Sequence, residues 1–271
     1  MFDIGFDQAA GLRGNAVPAI GPSLMPVASP AQPARAYEML CTLAAHLTAL
    51  GRAVVIVDGT ATEATARRSN DGSHLGLQHA LNDPSIAGLD RPVDHAEWLV
   101  MPGALGLQTL QQTSQAAGAA VAVARLLSPF APGALVLLFA PAFVLGQLLG
   151  GLPAHALVPV LNQPQATVDA YGALKLLHAA GLSPVLAPLA TDESPAQTPL
   201  QQVVDTVTDC AQRHLGLAVD AWPVDTWGAC VQASAITPPA SIRHQHPPYL
   251  HQGLTLDALG VDRAAAAHLW S

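Results

Sequence analysis

The 271-residue chain is 51% apolar and only 11% charged, which suits one sizeable packed core and excludes a disordered coil. Its formal charge of −8, from 11 Lys and Arg against 19 Asp and Glu, comes without a basic cluster and so argues against a nucleic-acid partner. Three scattered cysteines, Cys41, Cys210 and Cys230, lack metal-ligand spacing and read as buried or free thiols of a reducing cytosol.

In chain order, the opening MFDIGFDQ carries acids and no Lys or Arg before an apolar run, so no secretory signal is expected. The stretch FDQAAGLRGN (residues 6–15) reads as a short helix, with Gln8 and Leu12 four apart on one face and Asp7 favourably placed near its start. Gly5 and Gly11 each cost such a helix about 1 kcal/mol, which predicts a segment that folds when it binds. The bland alternative is a solvated helix whose Phe2 and Phe6 pack on its own domain. Residues 14–24, rich in Gly and Pro, read as a linker.

From Pro33 to Leu50 the spacing of Met39, Leu40, Leu43, Ala44 and Leu47 predicts a helix with one buried face. The apolar runs at 53–58, 98–103, 134–140, 156–161 and 183–189 read as buried parallel strands. Helical stretches at about 106–126, 167–180 and 197–215 separate most of them, which predicts a doubly wound, mainly parallel α/β sheet over residues 25–235. The uncharged stretch 133–161 admits two readings, a membrane span or two strands flanking a small helix. Pro141, Gly146, Gly150, Gly151, Pro153 and His155 interrupt it and favour the second. Residues 236–271 read as a Pro/His-rich tail with a short terminal helix. His244, His246 and His251 lack a fourth ligand or helical spacing, so no metal is expected there.

In a doubly wound fold a phosphate-binding loop belongs between the first strand and the first helix. Its glycine amides close on the phosphates, a Lys reaches the outer oxygens, and a hydroxyl residue holds Mg²⁺. Here that place reads VASPAQPARAYEML. The chain nevertheless resembles the MinD/ParA group of P-loop ATPases, whose loop has the form SGKGGVGKS. Aligned without a gap, Ser29 matches the opening Ser and Ala31 takes the signature Lys. Gln32 and Pro33 replace glycines, Ala36 replaces the P-loop Lys, and Tyr37 replaces the Mg²⁺-binding residue. Further on, LGRAVVIVDGTATE resembles the segment ending in the acid pair D-x-D, with Asp58 kept and Thr60 at the second acid. ALVLLFAPA resembles the switch strand, with Phe139 where an Asp stands in the group.

ALVPVLNQPQATVDAYGALKLL is similar to a segment of the flagellar branch, matching at Asp169, Ala170, Tyr171, Leu174, Lys175 and Leu176. The form D-Q-A-x-x-L-R at Asp7, Gln8, Ala9, Leu12 and Arg13 resembles the activator motif of FlhG, the MinD-like regulator of flagellum number. That resemblance implies a helix over residues 1–13 that docks on the signal-recognition-type GTPase FlhF and stimulates GTP hydrolysis. Gln8 would then orient water in trans, with Phe6, Asp7, Ala9, Leu12 and Arg13 in the contact. It implies a cytoplasmic protein recruited to membrane or pole through partners, while the replacements at Ala31, Ala36 and Phe139 predict no nucleotide cofactor and no ATPase activity of its own. The tail TLDALGVDRAAAAHLWS lacks the group's basic amphipathic helix, so direct membrane binding is expected to be weak or absent. Two other readings remain: a scaffold that holds a flagellar or polar partner on the old ATPase surface, and a nucleotide enzyme with an unusual site.

Overall fold

The computed structural model describes residues 21–63, 76–90, 97–162, 165–189 and 199–238. Six strands form the frame: β1 (Ser23–Ser29), β2 (Val54–Asp58), β3 (Leu99–Pro102), β4 (Leu135–Pro141), β5 (His155–Leu161) and β6 (Ser183–Leu189). They lie in the order β3-β2-β4-β1-β5-β6, and every neighbouring pair is parallel. The chain is thus a doubly wound parallel sheet, with both faces covered by helices. Both-face burial is why the strands read as continuous apolar runs and not as alternating ones.

One face carries α1 (Pro33–Ala49) and α8 (Trp227–Ser234). Pro33 occupies the first helical turn, where a missing amide costs nothing, and Met39, Leu40, Leu43, Ala44 and Leu47 are fully buried. They meet Leu135, Leu137 and Phe139 of β4 together with Trp227 of α8. The opposite face carries α2 (Leu77–Asn82), α3 (Ala104–Ala117), α4 (Ala119–Leu127), α5 (Ala142–Leu149), α6 (Ala166–Ala179) and α7 (Leu200–Leu215). These pack on Val136, Leu138 and Ala140, the alternate residues of the same strand. Each fully buried Leu, Val or Ile stabilises the fold by about 1.5–3 kcal/mol relative to exposure.

Several sequence expectations change in detail. The linker assigned to 14–24 ends too late, because Ser23 and Leu24 already pair with Leu135 and Val136 and are buried. The helix expected over 106–126 is two helices. Gly118 stands between them at φ 92°, a conformation other residues avoid, and it ends one helix and starts the next. The short α2 and the Trp-led α8 went unread. The stretch 133–161 resolves into β4, α5 and β5, and among the described residues no helix is long and apolar enough to cross a membrane.

Candidate functional site

The helices after β1 and β5 cover opposite faces of the sheet, so the order reverses between these two adjacent strands. In such sheets the crevice outside the C-terminal ends at that reversal is where ligands bind. A cleft of about 450 Å³ lies there. Pro30, Ala31 and Gln32 line it from the loop after β1, Pro159 and Leu161 from β5, and Gln165, Ala166 and Asp169 from the start of α6. Among the described residues, this lining offers one ionisable group, Asp169. Pro30 and Pro33 cannot donate amide hydrogens to an anion.

On the other side of β1 the positions singled out from sequence converge. Tyr37, on α1, donates its phenolic hydrogen to Asp58 Oδ2 at the end of β2. Asp58 Oδ1 accepts from the Thr60 amide at 2.9 Å and from the Thr60 hydroxyl at 2.7 Å. The carbonyl of Asp58 accepts from the Gly103 amide at 2.8 Å, which ties in the end of β3. Phe139 is fully buried and meets the Tyr37 ring edge to face, with centroids 5.5 Å apart. A Cβ at Gly59 would fall 2.3 Å from Leu107 Cδ1 and 3.0 Å from both Ala140 Cβ and the Phe139 carbonyl, so a side chain there would displace Leu107 and crowd the end of β4. The Gly59 amide donates to the Phe139 carbonyl at 2.7 Å. Burial, then the bond to Asp58 and its charge, hold the Tyr37 phenol far above its ordinary value, with a smaller push from Cys41.

The remaining positions are not drawn into this cluster. Ser29 Oγ donates to the Pro30 carbonyl at 3.1 Å, and Ala31 and Gln32 are exposed in the loop. Pro33 opens α1, and Ala36 is fully buried beneath the sheet. Phe6, Asp7, Gln8, Ala9, Leu12 and Arg13 lie outside the described residues, as do His244, His246 and His251. Among the described residues no group of His, Cys, Asp or Glu is arranged to hold a metal. The three thiols are free, and burial followed by the charge of Glu38 raises that of Cys41.

One residue of this edge escaped the sequence reading. Glu63 is buried, and its carboxylate accepts the Gln78 amide at 2.8 Å and the Gly106 amide at 3.2 Å. It thereby caps the first turns of α2 and α3 together, where a negative charge meets two helix dipoles. The only signal was an acid in an otherwise uncharged stretch, and its partner at Gly106 is 43 residues away.

No protein-family model matches the chain, and no curated protein matches it. Among solved structures it is similar to a McdA variant of Cyanothece in complex with ATP, with TM-score 0.49 and 10% identity over 76% of this chain and 82% of that one. It is also similar to MinD of Aquifex aeolicus, with TM-score 0.40 and 12% identity over 76% and 86%. A third is cobyrinic acid a,c-diamide synthase of Mycobacterium smegmatis with an ATP analogue and magnesium, with TM-score 0.46 and 19% identity over 76% and 89%. The fold class rests on the chain's own strand order and not on these likenesses.

Proposed function

We propose that this chain is a MinD-like protein without ATPase activity, of the FlhG type, whose N-terminal segment activates an FlhF-type GTPase. The observation that carries the first half is the state of Asp58. Both of its carboxylate oxygens are taken by Tyr37 and Thr60, so no lone acid faces a cation. Mg·ATP fits this edge poorly: Ala36 and Ala31 stand where the group has cationic ligands, and Phe139 presents a ring where it has an acid. The second half rests on D-Q-A-x-x-L-R at residues 7–13. A Gln supplied in trans positions the attacking water of GTP hydrolysis, and Leu12 and Arg13 anchor the segment.

The test uses a peptide of residues 1–20 and the full chain, each added to a GTP-loaded FlhF-type GTPase. Both are expected to accelerate hydrolysis. Gln8→Ala removes most of the acceleration even at saturating peptide, whereas losses from Leu12→Ala or Arg13→Ala are recovered by adding more. A Gln8→Ala peptide that stimulates as well as the parent reduces the motif to a docking element. A chain that never touches the GTPase favours the scaffold reading instead. The open cleft supports that second reading, with Val168 66% exposed in the same turn of α6 as Gln165 and Asp169.

A further inference from the structure

In P-loop switch proteins the loops at the C-terminal edge are held by phosphate and Mg²⁺ and released when these leave. In this chain the same edge is fastened by side chains. Asp58, 6% exposed, receives three hydrogen bonds on its carboxylate, and its carbonyl receives the Gly103 amide. The Tyr37 ring is itself fixed against Phe139, and the Gly59 amide closes on the Phe139 carbonyl. Four segments are therefore tied together around Asp58: α1 and the loop after β2 meet at its carboxylate, the end of β3 joins through its carbonyl, and the end of β4 joins through the Tyr37 ring and the Gly59 amide. We infer that the Tyr37–Asp58–Thr60 cluster is a built-in replacement for a bound ligand, cross-linking these segments into one conformation with nothing bound.

The residue types suit that task. A phenol reaches across the gap from α1 as a single donor, and the carboxylate can accept it without giving up Thr60. A phenol is protonated, and therefore a donor, at any physiological pH, and burial pushes its titration higher still. A hydrogen bond to a charged acceptor is among the stronger kinds, and its loss leaves a buried oxygen unpaired. The inference rests on the reading of the chain as a protein that takes no nucleotide.

Amide hydrogen exchange on the full chain tests it. Tyr37→Phe should speed exchange at Thr60 and Gly103 about 10-fold or more, while the amides of α4 keep their rates. Asp58→Asn should do the same, and the double variant should exchange no faster than either single one, as coupled partners require. If Asp58→Asn fails to fold, Thr60→Ala takes its place in the cycle. Exchange at Thr60 and Gly103 that stays within about 2-fold of the parent in Tyr37→Phe, or single effects that simply multiply, overturns the role of the cluster. Slowing of the same amides by Mg·ATP in the unaltered chain overturns the no-nucleotide reading instead, and with it the idea of a replacement.

Discussion

The two sides of β1 end differently. Toward β2 and β4, Asp58 and Phe139 are buried, and each polar group named there has its partner inside the protein. Toward β5 a cleft of about 450 Å³ stays open, with Gln32 and Gln165 exposed in its lining. The two regions share a strand, so the difference is one of chemistry and not of backbone layout. Where side chains satisfy one another, nothing remains to attract a ligand, and where they do not, a partner can still enter.

The sharpest way to break this contrast is to restore an acid on the closed side. Phe139→Asp places a charge in a fully buried position beside Asp58, with no cation at hand among the described contacts. The expected cost is about 3–5 kcal/mol, read from the urea midpoint, and it should relax on acidification as the new carboxyl takes a proton. A variant as stable as the parent would mean that an unseen cation or water already serves this spot.

Glu63→Ala comes next. It strips the acceptor from the Gln78 and Gly106 amides and the negative charge from two helix starts, for an expected loss of about 1–3 kcal/mol. Glu63→Gln should recover part of that loss, because one carbonyl oxygen remains. Equal losses in the two variants would show that charge outweighs the hydrogen bonds.

A smaller effect appears at alkaline pH. The Tyr37 phenol is held above its ordinary value of about 10, so the unfolded chain releases that proton first. Above pH 10 the unfolded state then binds fewer protons than the folded one, and stability falls as pH rises. Below that value the contribution is constant. Tyr37→Phe should flatten this alkaline slope in melts between pH 8 and 11, and an unchanged slope would place its origin elsewhere.

How far the sequence revealed these regions follows from the range of the interactions. The parallel sheet was legible because Leu135–Pro141 is apolar throughout and Val54–Asp58 is apolar up to its closing acid, a local signal that both-face burial imposes. The stripe of α1 was legible for the same local reason. The break at Gly118 was not, since AAGAA continues a helical pattern and only the observed φ reveals the turn. At the edge, Tyr37, Asp58, Thr60 and Phe139 could each be placed by comparing motifs. Their mutual contacts could not, because Tyr37 and Asp58 are 21 residues apart and no periodicity links them. Glu63 was missed outright, since its role depends on where α3 starts.

On the open side, single changes should be nearly silent. Gln165→Ala touches an exposed residue with no side-chain cap bond at the start of α6, so a shift within about 0.5 kcal/mol is expected. A larger loss would mean that the cleft, too, holds a structural network.

The smallest expected effect is none at all, and it bears on both sides together. A ligand that binds only the folded state stabilises it by about 2.7 kcal/mol at a hundred times its Kd. For a chain of this size that amounts to a rise in Tm of several degrees, well within reach of a thermal melt. Millimolar Mg·ATP would supply that excess for any site with a Kd near about 10 µM. With Asp58 engaged by Tyr37 and Thr60, and with Pro30 and Pro33 in the loop that should cradle phosphate, Tm should not move. ADP and GTP should be equally without effect, because the obstacle lies at the phosphates and not at the base. A rise with ATP alone would point to recognition of the outer phosphate despite the missing lysines. A rise with all three would assign the cleft between β1 and β5 to a nucleotide base, and the contrast between the two sides would then be one between halves of a single site.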